Sequence, residues 1–420
     1  MLFTVLNNEK NSLSQCVKEY GLKNVYNSFK FEFFGDDENA FEYENSGIVL
    51  FLQGNIYNIL NLHNWLKIPY ELNESHPADV IVHLYKKFGM EYTLSILDGV
   101  FSLFLLDQRH TSSETTLYVV GDYLGLQPIF ALKQNKLKNN NDNDNVNNKF
   151  RFIQNRYDAS YCLSTDIALL SKLRDTLKSK TNYDYEVISL VPGRCHKYSL
   201  SNKSSCTWKT QCDTLHPTSY TFDRRINTFY SIDDVMRNVE RYVVSAIQKR
   251  LDVHVDKNIV IIVENNSYEA ILIACIVSDY LHTNDRSHTL QILFTSKCEN
   301  SIKLSEVLLA KELLFLPDNY DISELLKRMN SHNKLVSFSN LSIDMKRKKT
   351  LMDDDRNIID NIAISIEKRI PYDDIIVEFP LLDINWIQYF LSINLDHREN
   401  ILEKSFKGKQ FHGKRTKFTL

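Results

Sequence analysis

Glycine is scarce in this sequence, and its distribution is lopsided. The 420 residues include 11 glycines, and none falls between Gly193 and Gly408. A loop that wraps a phosphate needs backbone at positive φ and amides that can close on the anion, and glycine supplies both. The second half of the chain is therefore denied a glycine-rich phosphate cradle. Cysteine is sparse too: Cys16, Cys162, Cys195, Cys206, Cys212, Cys275 and Cys298 are odd in number and scattered. Cys206 and Cys212 come closest together, but no His or Cys pair nearby completes a zinc pattern. The count argues against a disulfide framework and implies buried thiols in a reducing compartment. No apolar run approaches the roughly 18 residues of a membrane span, and no basic-then-apolar leader opens the sequence. The expectation is a soluble, cytoplasmic chain with no membrane partner. A net charge of −3 gives no reason to expect nucleic acid either.

What is present is core-forming material. Hydrophobic residues make up 43% of the chain and aromatics 11%, enough at this length for two domains. The clearest local signal is Ile259 to Tyr280, reading IVIIVENNSYEAILIACIVSDY. A β-branched run, Ile259 to Val263, has strand length; Glu264-Asn265-Asn266-Ser267 is a polar turn; an apolar-periodic helix follows. Asn266 is placed to cap that helix, with Glu269 three residues on answering the cap's N–H. Strand, tight turn and helix N-terminus is where α/β proteins hold phosphates, because unpaired N–H groups and the positive end of the dipole converge there. Here the turn has no glycine, and Glu264 sets a negative charge at its mouth. The layout of a nucleotide site is present without its chemistry.

Residues 1 to about 135 read as strands and hairpins with helices between. Gly47 to Gln53 (GIVLFLQ) is an apolar strand, running into Gly54-Asn55-Ile56-Tyr57-Asn58. Ala78 to Tyr92 is amphipathic and helical, Leu97 to Asp107 gives a turn and a buried strand, and Leu117 to Val120 gives another. Gly121 to Phe130 (GDYLGLQPIF) is a turn. The Asn-rich run 138–148 has nothing to bury and is expected to be a disordered surface insert. Residues 201–230 are polar and expected to be a linker. Beyond them Ser231 is placed to cap a helix, strands and helices alternate, and Ser301 to Phe315 has helical spacing. Alternation of this kind implies a parallel sheet covered by helices.

Six short stretches carry a family likeness. They are Gln53 to Asn58, Pro77-Ala78-Asp79-Val80, Leu97 to Leu103, Asp122 to Ile129, Ser164 to Leu170, and Val191-Pro192-Gly193-Arg194-Cys195-His196. In that order and at similar spacing they resemble the glutamine amidotransferase domain of the asparagine synthetase family, over roughly residues 1–200. The alternating second half resembles that family's synthetase domain. Near the end, Ser365 to Asp374 (SIEKRIPYDD) and Glu378 to Asp383 (EFPLLD) are both similar to the family's L-E-x-R-x-P-F-L-D motif.

The resemblance implies a four-layer αββα sandwich over 1–200 and an ATP-pyrophosphatase-like asparagine synthase domain over 231–420. It also implies where the chemistry should be. In the family a cysteine directly after the initiator Met attacks glutamine, activated by its own α-amine; Leu2 stands there. The N-G-E site becomes Gln53-Gly54-Asn55, and the aspartate that grips the substrate amine becomes Pro77. An arginine fork normally meets the substrate carboxylate, yet no Arg precedes Arg109. The pyrophosphate loop S-G-G-x-D-S becomes Glu264-Asn265-Asn266-Ser267-Tyr268-Glu269. Met352-Asp353-Asp354-Asp355-Arg356 could hold magnesium, but such a run is more often a solvated helix start.

Three readings follow from the residues. The first is an inactive homologue with neither cofactor nor metal, acting on a protein partner as scaffold or regulatory subunit. The second is a divergent, ammonia-dependent asparagine synthetase using ATP and magnesium. The third is an unrelated binding protein, which leaves the ordered motifs unexplained.

Overall fold

The computed structural model describes residues 2–6, 24–28, 31–35, 40–43, 47–67, 77–109, 114–135, 162–180, 184–201, 208–215, 231–263, 267–295, 308–315, 335–338, 375–412 and 418–419. The chain divides into two compact units, Met1–Ser219 and Tyr220–Leu420. Among the described residues no helix is long and apolar enough to cross a membrane. The Asn-rich run 138–148 lies outside them.

The first unit begins with β1 (Leu2–Leu6), β2 (Asn24–Ser28), β3 (Phe31–Gly35), β4 (Ala40–Tyr43) and β5 (Ile48–Ile56). Helices α1 (Ile59–Leu66) and α2 (Pro77–Ile96) follow, then β6 (Gly99–Asp107), β7 (Glu114–Gly121), β8 (Phe130–Asn135) and β9 (Cys162–Ser164). Helix α3 (Ile167–Lys180) precedes β10 (Asp184–Ser189), β11 (Arg194–Ser201) and β12 (Trp208–Leu215). One sheet has the order β10-β8-β9-β1-β3-β2 and the other β12-β11-β7-β6-β5-β4. Pairing is antiparallel in both.

Strand β5 explains the layering. Its side chains alternate between faces, and both faces are covered. Val49 and Phe51 pack with Phe31 and Phe33 of the other sheet, while Ile48, Leu50 and Leu52 pack under Val80, Ile81 and Leu84 of α2. Phe33 and Phe51 stack across the sheets with centroids 3.5 Å apart. On the far side Leu170, Leu173 and Leu177 of α3 close over Phe34, Phe130 and Leu132. The result is helix, sheet, sheet, helix, as expected for this half.

Two boundaries differ from the sequence reading. Residues 208–215, expected to be linker, form β12 along β11, and Trp208 is buried between the sheets. A mostly polar edge strand anchored by one aromatic carries little periodic signal. Helix α2 extends past Tyr92 but is broken at Gly89, whose φ of 82° and ψ of 172° are not helical.

The second unit contains α4 (Ile232–Val253), β13 (Asn258–Val263), α5 (Tyr268–Thr283), β14 (Leu290–Phe294), β15 (Glu312–Phe315), β16 (Leu335–Phe338) and β17 (Ile375–Glu378). Helices α6 (Ile384–Ser392), α7 (Leu395–Arg398) and α8 (Ile401–Phe406) precede the short pair β18 (Gln410–Phe411) and β19 (Phe418–Thr419). Strands β13 to β17 form one sheet, parallel throughout, in the order β15-β14-β13-β16-β17. Ser231 caps α4 by accepting the Asp234 N–H at 3.2 Å, and its hydroxyl donates to the Asp234 carboxylate at 2.7 Å. The helix expected over Ser301 to Phe315 is corrected at its end: residues 312–315 are β15, and 301–307 lie outside the described residues. Parallel pairing to β14 and the stack of Phe315 on Phe294, centroids 5.1 Å apart, outweigh helical spacing there.

A buried charge network joins three pieces of this unit. Arg250 of α4 donates from Nη1 to the Ala246 carbonyl at 2.7 Å and to Asp383 Oδ2 at 2.9 Å, and its Nε lies 3.3 Å from Glu378 Oε2. Lys249 reaches Asp383 at 2.5 Å, and His254 Nε2 lies 2.7 Å from Glu378 Oε1. Burial pushes the Asp383 carboxyl up, but Arg250 and Lys249 outweigh it and hold the group below its ordinary value. Its stabilising contribution is thus present above pH about 4 and lost as pH falls through the lowered value. Replacing Arg250 by Met should cost roughly 3 kcal/mol or more, because two buried carboxylates lose their main partner. Adding Glu378→Gln should recover part of that loss. Urea denaturation checks both; no recovery would mean that packing, not charge, sets the cost.

Candidate functional site

Of the glutamine-site positions, Gln53 and the Leu2 end of β1 come to one turn of the first unit, the one before α3. At Gly54 the backbone of β5 has φ +103°, and a Cβ built there would lie 2.1 Å from the Val100 carbonyl oxygen of β6. Opposite, a Cβ on Gly99 would lie 2.3 Å from the Asn55 carbonyl oxygen. The strands approach too closely for side chains, so both glycines serve the backbone. Gln53, half-buried, accepts a hydrogen bond from the Thr165 hydroxyl at 2.8 Å. Thr165 lies in the turn before α3, where Ser164 Oγ accepts the Asp166 N–H at 2.9 Å and Asp166 caps the helix through Ala168 and Leu169. Phe3 pairs with Ser164, so the register brings the Leu2 end of β1 to the same turn. Pro77 opens α2, with no N–H and no carboxylate to offer. Asn55 continues β5, half-buried, opposite Val100.

The contact of Thr165 with Gln53 was not anticipated from sequence. Asp122 opens one of the motif stretches, but its structural role was not read from sequence. Its buried carboxylate accepts from the N–H groups of Leu124 at 3.1 Å, Leu126 at 3.0 Å and Gln127 at 2.7 Å. Its carbonyl accepts from Gly125 at 3.1 Å and Gly193 at 3.3 Å. Gly125, at φ +67°, lies so close to Pro192 that an added Cβ would come within 2.7 Å of the ring. One aspartate thereby ties the Gly121–Phe130 turn to the Val191–Gly193 turn, two of the six motif stretches.

In the second unit the strand order reverses between β13 and β16. Open parallel sheets bind ligands in the crevice outside the carboxyl ends at such a point, and α5 begins there. The cap is Ser267, not Asn266, which with Glu264 and Asn265 lies outside the described residues. Ser267 Oγ accepts the Ala270 N–H at 3.4 Å and donates to Glu269 Oε2 at 2.8 Å. A hydroxyl can do both at once, which favours serine at this position. Tyr268 is half-buried, and burial, with Glu403 adding to it, pushes its hydroxyl up to about 12. Of the two C-terminal motif candidates, Glu378 and Asp383 are engaged in the charge network, and Asp383 also caps α6 through the N–H groups of Asn385 and Trp386. The stretches 352–356 and 365–374 are not among the described residues. Within those described, no group of three His, Cys, Asp or Glu side chains could hold a metal ion. Cys162, Cys195 and Cys275 are buried.

Residues 36–159 match the family model for a glutamine amidotransferase domain. The matched residues lie within the first unit, whose two antiparallel sheets between helices fit such a domain. Over 77 residues the chain is 35% identical to the asparagine synthetase [glutamine-hydrolyzing] of Mesocricetus auratus, covering 18% of this chain and 13% of that enzyme. The Gallus gallus enzyme matches at 34% over 79 residues, 19% of this chain and 13% of its own. The Zea mays enzyme matches at 34% over 87 residues, 21% and 14%. The chain spans only 13–14% of the length of these asparagine synthetase relatives, and the likeness is confined to that stretch. Among solved structures, the Bacillus subtilis glutamine phosphoribosylpyrophosphate amidotransferase complexed with ADP and GMP gives a TM-score of 0.27 at 11% identity, covering 84% of this chain and 67% of that one. That likeness is too slight to bear on the fold.

Burial carries the Asp122 carboxyl up to about 6, against the pull of the N–H groups of Gln127, Leu126, Leu124 and Gly125. Since that value lies above the ordinary one, the group's contribution is greatest below pH about 4 and declines as pH rises through about 6. The stability of the native protein relative to Asp122→Asn should therefore fall between pH 4 and 7. Asp122→Ala strands three buried N–H donors and should lose on the order of 3 kcal/mol. Chemical denaturation at the two pH values measures both effects.

Proposed function

We propose that this chain is an asparagine synthetase-like protein that works by binding, as a scaffold or regulatory subunit, and not by turnover. The carrying observation is at the N-terminus of α5. There the helix's first turn is answered from within, by Ser267 and the Glu269 carboxylate. A triphosphate would have to displace that arrangement and sit against an acid, which costs on the order of kcal/mol at a few ångströms even in a high-dielectric site. The glutamine-site positions support the same reading. Leu2, Gln53, Asn55 and Pro77 stand where the family's thiol, oxyanion donor, acidic contact and amine-binding aspartate would be.

A second reading keeps ATP and magnesium as ligands of a divergent, ammonia-dependent asparagine synthetase. The strand order favours it, since it reverses between β13 and β16, the kind of point at which open parallel sheets take ligands. Calorimetry and thermal unfolding separate the two. On our reading, 1 mM ATP with magnesium adds about 0.1 kcal/mol or less, as expected for a Kd beyond 10 mM. Micromolar affinity that is lost on changing Ser267 or Tyr268 would overturn it. Purified protein should also release no glutamate from glutamine above background. Turnover that disappears in Cys16→Ala would reveal a relocated nucleophile.

A further inference from the structure

The outer helical face of the first unit carries an aromatic patch that its core does not use. Trp65 of α1 is 51% exposed, and Phe88 and Tyr92 of α2 are 37% and 43% exposed. The three rings are contiguous. Trp65 stacks on Phe88 with centroids 5.6 Å apart and planes at 19°, and Phe88 meets Tyr92 at 4.8 Å. Single exposed aromatics are ordinary, but a joined patch marks a contact surface. The same helices bury a different set of side chains, Leu62, Leu84 and Met90 among them, so their attachment to the sheet does not require these rings. The other two tryptophans of the chain, Trp208 and Trp386, are 1% and 0% exposed.

Among the described residues, lysines accompany the rings along both helices. Lys67 follows α1, Lys86 and Lys87 precede Phe88, and all three are exposed; Glu91 is the acid among them. Lys87 Nζ lies 5.1 Å from the centroid of the Phe88 ring. The chain as a whole has 53 acidic and 50 basic residues, whereas the described residues beside these rings carry three lysines and one glutamate.

We propose that Trp65, Phe88 and Tyr92 form a docking surface for an acidic, apolar segment of a partner protein. Leucine or aromatic side chains of the partner cover the rings, and its carboxylates meet the lysines. Exposed tryptophan and tyrosine held rigid against neighbours are the residues that dominate binding energy at such surfaces. A second copy of this chain is the poorer fit, because a two-fold contact sets the patch against itself and brings lysine-rich rims together. A membrane surface is poorer too: three lysines fall short of the clusters of 4–8 that hold anionic lipid. The inference stands whether or not either family site turns over substrate.

The test uses the full chain and two synthetic amphipathic peptides with the same leucines and phenylalanines, one bearing Asp and Glu, the other Lys. Binding is followed by calorimetry and by acrylamide quenching, which reports Trp65 because the other tryptophans are buried. The acidic peptide should bind and shield Trp65, and the lysine peptide should not. Trp65→Ala and the pair Lys86→Glu, Lys87→Glu should each weaken binding at least tenfold, and raising salt from 50 to 500 mM should weaken it further. Phe88→Ser with Tyr92→Ser provides a second test of the patch should Trp65→Ala fold poorly. Equal binding of both peptides, or acidic-peptide binding untouched by these changes, would overturn the proposal. So would shielding of Trp65 by phosphatidylserine vesicles without peptide binding, or by concentration-dependent dimer formation.

Discussion

A charge taken out of water has to be answered from inside the protein, and each unit of this chain is built around such an answer. In the first, the Asp122 carboxylate gathers the backbone N–H groups of a turn, and its carbonyl holds a second turn. In the second, Arg250 stands between Glu378 and Asp383, so one guanidinium links α4 to the end of β17 and to the cap of α6. Neither arrangement is a surface ion pair whose loss water would repair. Remove one member and the remaining groups are left buried with poorer partners, which is why these positions constrain their neighbours more than any single apolar contact does.

This distinction sorts the family motifs. Gly54, Gly99, Asp122 and Gly125 are retained, and each has backbone work: close strand approach, a carboxylate that organises a turn, a turn pressed against a proline ring. On the binding reading proposed above, Leu2, Gln53, Asn55 and Pro77 take the places the family uses to hold and attack a substrate. Gln53 has acquired a fold-internal partner in Thr165. At the amino end of α5, serine and glutamate close the helix from within.

The sequence made this division visible in part. Apolar runs such as Ile48 to Leu52 and Ile259 to Val263 announced buried strands because both of their faces are covered, and Ser231 announced a helix because a cap is a local chemical event. Motif order carried the sandwich. What sequence hid were effects with no local pattern. Trp208 ties β12 into the core, and an aromatic pair between β14 and β15 turns a helix-spaced segment into a strand. The Arg250 network joins residues more than 120 positions apart, and nothing in the spacing of Glu378 and Asp383 says that their partner lies on α4. The shift of the cap from Asn266 to Ser267 turns on a hydroxyl's ability to accept and donate together.

The place of β1 in its sheet bears on how the protein is made. β1 pairs on one side with β3, but on the other with β9, where Val5 meets Cys162. A ribosome delivers the chain from its N-terminus at about 5–20 residues per second, so roughly 10–30 s separate the emergence of the two strands. Throughout that interval the β1–β3–β2 segment has an open edge, the kind of template on which nascent chains pair with one another. The central seam of the first unit is thus among the last to close during synthesis, and the yield of folded protein depends on how well that edge is shielded until β9 arrives.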